Sequence, residues 1–133
     1  MSAPTPTVRA GVHDRDGHRC VACNTTVTLT FQHRRAVGMG GNKQRPDAVD
    51  GLTLCLICNM SVEAEMQTLA LYSGWKVRKW ADPSRVPVYY PHEFSWHRLI
   101  GDAREPITGP VAVEMMHDVY GHEWFEWRAE VNG

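Results

Sequence analysis

All four cysteines of this 133-residue chain fall in two Cys-x-x-Cys pairs, Cys20 with Cys23 and Cys55 with Cys58. A two-residue spacer in a tight turn aims both thiolates at one point, and two such knuckles complete the tetrahedron of sulfur that zinc prefers. A structural Zn²⁺ held this way closes a loop of 31 residues, Asn24 to Leu54, and offsets the closure entropy that would otherwise leave a small chain loosely tied. With all four positions taken by sulfur, the ion has no open site for chemistry, so the expectation is a scaffold. Two disulfides or a redox dithiol are the competing readings. The first is disfavoured because Met1 to Val8 holds no basic cluster followed by an apolar stretch, so secretion is not expected, and the second needs only one pair.

The length fits one domain with a core of its own. The longest strongly apolar run, Leu52 to Cys58, is far short of the ~20 residues that span a bilayer, so the expected location is cytoplasmic. A net charge of −1 conceals segregation: Arg9 to Arg45 carries seven Lys/Arg against two acids, Pro46 to Trp75 four acids and no Lys or Arg, Lys76 to Ile100 five basic residues against two acids, and the remainder seven acids against two arginines. A polyanion responds to such local fields more than to the total, so a nucleic-acid partner is compatible with the balance.

After Cys23, Asn24-Thr25-Thr26 reads as a turn, and Val27 to Phe31 alternates apolar and polar as a half-buried strand does. His33, Arg34 and Arg35 follow, then a glycine-rich stretch, Gly38 to Asn42, and the basic Lys43 and Arg45; Gly51 to Leu54 leads back as a second strand. His33 shares a strand face with Val27, Leu29 and Phe31, so it reaches a cleft only where the strand ends or bulges. From Asn59, a candidate N-cap, Val62, Met66, Leu69 and Ala70 recur at helical spacing up to Gly74, which predicts one helix over about 60–73.

The order knuckle, strand, histidine, loop, strand, knuckle, helix resembles the HNH or His-Me finger endonucleases and their ββα-metal fold. Three segments over about residues 8–75 carry the resemblance: Arg15-Asp16-Gly17-His18-Arg19-Cys20-Val21-Ala22-Cys23, then Gln32-His33-Arg34-Arg35-Ala36-Val37-Gly38-Met39-Gly40-Gly41, which is similar to the histidine segment of small bacteriophage HNH proteins, then Leu54-Cys55-Leu56-Ile57-Cys58-Asn59, which is similar to the recombination endonuclease VII group acting on branched DNA. The resemblance implies a DNA endonuclease acting on duplex or branched DNA. In it, Mg²⁺ or another divalent ion at the scissile phosphate acts as a Lewis acid, and a histidine ending the first strand is the general base. It makes His33 that base and Gln32 and Asn59 ligands of the catalytic metal, with Arg34, Arg35, Lys43 and Arg45 gripping phosphates. Gln32 offers only a neutral amide oxygen, so Asp50, which aligns with the family's middle asparagine, and Glu63 are the candidate carboxylate ligands. A catalytically weakened zinc module that binds DNA or a protein without cutting is the alternative.

Beyond residue 75, Trp75 to Trp80, Val86 to Tyr90 and Phe94 to Ile100 read as strands of a small β extension, with Pro83, Pro87 and Pro91 at edges. Pro110 opens a helix with an apolar stripe of Val111, Met115, Met116 and Val119, interrupted at Gly121 before Trp124 and Trp127. This acidic element, with Met and Trp exposed, is expected to dock on the body or on a second subunit, giving a homodimer. The expectation is therefore an α+β chain: a zinc-bound ββα finger nuclease core over 1–75, and a β extension with a C-terminal helix over 76–133. His13, His18, His92, His97, His117 and His122 lack partners at ligand spacing, although His18 neighbours the first knuckle.

Overall fold

The computed structural model describes residues 2–36 and 44–133. Lys43 and the glycine-rich stretch lie outside the described residues. The fold is α+β, with two small sheets and five helices among the described residues. None of these helices is long and apolar enough to cross a membrane.

The chain opens with α1, Pro6–Arg15, which sequence periodicity did not single out. Its start signal is local: the Thr5 hydroxyl accepts the Val8 N–H at 3.2 Å, and Pro6 occupies the first turn where its missing N–H costs nothing. The first knuckle then leads into β1, Leu29–His33, paired antiparallel with β2, Gly51–Cys55, in the register Leu29↔Cys55 to His33↔Gly51. The strand starts two residues later than its alternation suggests, because Thr28 has φ +53° and its carbonyl accepts the Leu56 N–H, which leaves Val27 exposed. A side chain at Gly51 would force the buried Phe31 ring to move, since an added Cβ would lie 2.1 Å from it.

The single helix expected over 60–73 is two: α2, Leu56–Ser61, and α3, Gln67–Tyr72, separated by turns. Cys55, not Asn59, is the N-cap of α2, its sulfur accepting the Cys58 N–H, so the knuckle itself starts the helix and Asn59 sits inside it. Gly74 ends α3 as expected, with φ +75° and no room for a side chain, an added Cβ falling 1.8 Å from the Pro87 carbonyl oxygen.

The β extension consists of β3, Val88–Tyr90, β4, Ser95–Ile100, and β5, Ala103–Ile107, an antiparallel sheet in that order. Trp75 to Trp80 is not a strand despite its alternation; only Val77 pairs, through a single bridge to Arg35. The C-terminus forms α4, Gly109–Tyr120, and α5, His122–Asn132, jointed at Gly121. Met116, Trp124 and Trp127 are buried with Leu71, Val77, Ala81 and Val86, so the helices dock on the body through the side chains expected to be exposed. A separate apolar cluster joins Val21, Leu52, Leu54 and Val62 to Val88, Tyr90 and Leu99, spanning both sides of position 75.

Candidate metal centre and histidine cavity

The four cysteine sulfurs converge. All lie within 4.8 Å of one another, and Cys23 Sγ is 3.8 Å from Cys55 Sγ. Zinc–sulfur bonds of about 2.3 Å in a tetrahedron place sulfurs about 3.8 Å apart, whereas a disulfide needs about 2.05 Å. All four cysteines are free. Each knuckle folds an N–H onto its first sulfur, Cys23 to Cys20 at 3.5 Å and Cys58 to Cys55 at 3.4 Å. Burial, followed by the neighbouring Cys20 charge, pushes the Cys58 thiol far above its usual range. A cation among the sulfurs is what stabilises them as thiolates, so the donor set fits a structural metal such as zinc.

A buried polar network ties the end of α1 to the hairpin. The Arg15 guanidinium pairs with Asp16 at 3.0 Å and donates to the carbonyls of Ala48 and Gly51, both at 2.8 Å. Asp16 also accepts the Thr53 N–H at 2.9 Å and the Tyr90 hydroxyl at 2.6 Å, tying α1 to β2 and β3. Burial, and then the Asp16 charge, raises the Tyr90 phenol well above its ordinary value. Nothing in the spacing of these residues announces the network; it is assembled by tertiary contact.

His33 ends β1, so its ring reaches outward past the strand face it shares with Phe31, edge to face at 5.2 Å. It lines a cavity of ≈390 Å³ with Arg35, Arg45, Asp47, Asp50 and Trp80. Its Nε2 lies 3.1 Å from the Ser2 carbonyl oxygen, which can only accept, so Nε2 is the donor and the neutral ring keeps its lone pair on Nδ1. Asp50 enters the cavity from the short 3₁₀ turn Ala48–Asp50, where its Oδ2 accepts the Asp47 N–H at 2.8 Å and its Oδ1 is 4.0 Å from Arg35.

Arg34 is not on this surface. It is fully buried, and all five of its N–H groups are used: Nε and Nη2 donate to the Gly74 carbonyl at 3.0 and 2.8 Å, Nη1 to Val49 and Pro83 at 2.8 and 3.0 Å, and Nη2 also to Val86 at 2.9 Å. Burial, with Arg15 adding repulsion, lowers its pKa to about 10, leaving it cationic at neutral pH. The expected phosphate contact is therefore corrected: Arg34 is an internal brace holding the hairpin against the turns at Gly74 and Pro83. Arg35 and the exposed Arg45 remain at the cavity.

The candidate ligands for a second cation are dispersed. Gln32, on the opposite strand face from His33, is 2% exposed, and neither amide atom has a partner among the described residues. Asn59 lies on that same far face, its Nδ2 donating to Thr30 Oγ1 at 2.9 Å. Glu63 is ion-paired with Lys76, and Asp50 alone of the four is with His33. Two neutral amides without a carboxylate are a poor cage for a hard cation, so the set Gln32, Asn59, Asp50 and Glu63 does not fit one catalytic metal. Among the described residues, the four cysteines are the cluster of three or more His, Cys, Asp or Glu side chains close enough to share an ion.

No family model, no curated protein and no solved structure matches this chain. The fold and site define the class by themselves: an α+β chain with four cysteines placed close enough to share a metal ion, and a histidine at the end of its first strand lining a cavity.

Proposed function

We propose that this chain is a zinc-scaffolded DNA endonuclease of the HNH kind, of the type carried by bacteriophages and acting in the host cytoplasm, with its reaction centre in the His33 cavity. One observation carries the reading: an imidazole with one nitrogen held by a backbone carbonyl and the other left as acceptor lines an open cavity that also contains two arginines. His33 Nδ1 takes a proton from a water whose oxygen attacks the phosphorus. The P–O bond to the leaving sugar breaks, and that oxygen is protonated from solvent. Arg35 and Arg45 bind the phosphate oxygens, with Arg35 moving from Asp50, to which its contact is loose.

A second reading, a module that binds DNA without cutting it, is favoured by the dispersal of Gln32, Asn59 and Glu63 away from His33. Nicking of supercoiled plasmid in Mg²⁺, Mn²⁺ or Ni²⁺ decides between them. The wild type should nick, and His33→Ala with its zinc retained should lose roughly 10²–10⁴-fold in rate. A zinc-loaded wild type that leaves the plasmid intact in every metal removes the enzyme and leaves the binding module.

A further inference from the structure

Trp80 is the tryptophan the fold leaves outside. Trp75, Trp124 and Trp127 are 2%, 1% and 7% exposed, and Trp96 is half-buried, whereas Trp80 is 66% exposed. Leaving so much indole in water forgoes a large burial gain, yet the side chain is not loosely placed. It sits in a turn closed by the Ala81 N–H on the Arg78 carbonyl at 2.9 Å, and its ring meets Tyr120 nearly at right angles, 5.6 Å between centroids. Tyr120 is itself fixed, its hydroxyl accepting the Arg78 N–H at 3.2 Å.

Two cavities meet at this indole. One is the ≈390 Å³ cavity of His33; the other, ≈460 Å³, is lined by Lys76, Arg78, Lys79 and Glu123. Most of the cations nearby are already paired: Arg35 faces Asp50, Lys76 pairs with Glu63, and Arg78 lies 3.5 Å from Glu123. Arg45 in the first cavity and Lys79 in the second have no carboxylate partner among the described residues. An oriented aromatic face therefore stands between two cations that no carboxylate holds in an ion pair among the described residues, with Asp47, Asp50 and Asp82 also on the wall of the first cavity.

We propose that Trp80 is a stacking platform for an unpaired base of a DNA strand that crosses from the His33 cavity to the Lys79 cavity, its flanking phosphates on Arg45 and Lys79. This rests on the assignment of the first cavity to DNA phosphate and adds the substrate class, strands with unpaired nucleotides. Bases within a duplex have both faces covered by their neighbours and gain little from an indole, whereas an unpaired base of any identity offers a free π-face. Positive charges on either side supply the sequence-independent, salt-sensitive part of the affinity.

The test measures binding of labelled dT12 and of a 12-base-pair duplex by the zinc-loaded full chain, with zinc content and the thermal transition verified for each variant. Wild type should prefer dT12. Trp80→Ala should weaken dT12 binding roughly 5- to 150-fold and reduce the preference over duplex by a similar factor, and Trp80→Phe should retain most of it. Lys79→Ala should weaken dT12 and flatten its salt dependence. Wild-type binding to duplex with a Trp80→Ala variant that holds dT12 as tightly as wild type overturns this inference alone, and a wild type that binds neither DNA overturns the cavity assignment with it.

Discussion

Cys58→Ser is expected to abolish the cooperative fold. Structural zinc contributes about 10–16 kcal/mol in small zinc-binding peptides, as much as or more than the 5–15 kcal/mol by which a whole domain is stable. Cys58 is buried, and its knuckle also starts α2, because Cys55 sulfur caps the helix by accepting the Cys58 N–H. A serine oxygen there is a poor match for an ion held by three thiolates. Without the ion, the hairpin of β1 and β2 loses its anchor to the first knuckle. Metal analysis of the purified variant should give a zinc-to-chain ratio well below one, and circular dichroism should show no sharp thermal transition. A strong chelator should produce the same loss in the wild type. A variant that melts as cooperatively as wild type while holding no zinc would refute the scaffold role.

Arg34→Met ranks second. Methionine fills much of the volume and donates nothing, so the carbonyls of Val49, Gly74, Pro83 and Val86 lose their partner inside the protein. Each buried orphan acceptor costs about 1–3 kcal/mol, set against relief from burying a cation with no carboxylate in direct contact. A net loss of roughly 3–5 kcal/mol is expected, lowering the melting temperature by on the order of 10–20 °C. Arg34→Lys recovers little of this, because one ammonium with three donors cannot reach four carbonyls around a planar fork. Arg45→Met, on an exposed side chain, should change stability by less than about 0.5 kcal/mol. Thermal denaturation of the three zinc-loaded variants checks the ranking.

The contrast between those arginines shows what the sequence could and could not reveal. The metal centre was legible because ligand spacing is a local property: two residues between cysteines set the turn whatever the rest of the chain does. The hairpin was legible through its alternation, and even the parity that places His33 with Phe31 is present in the ring contact. The start of α2 was misplaced because its cap is a cysteine sulfur, outside the usual capping residues, and the periodicity of Val62, Met66, Leu69 and Ala70 runs across a break that only packing reveals. Arg34 beside Arg35 reads as a basic surface pair. Which of the two is internal depends on four carbonyls between 15 and 52 residues away in sequence, a distance no local pattern spans. The tryptophans of α5 follow the same logic: expected to be exposed on an acidic helix, they are buried with Leu71 and Val77.

Whether DNA phosphate reaches the imidazole at the end of β1 is read most directly from the ring resonances of His33 in zinc-loaded, histidine-labelled protein, assigned by their disappearance in His33→Gln. Adding dT12 or the duplex should move those signals and leave His117 and His122, exposed on the C-terminal helices, where they were. His33 resonances that stay fixed once the DNA is fully bound would place the nucleic acid elsewhere and contradict a reaction centre at this cavity.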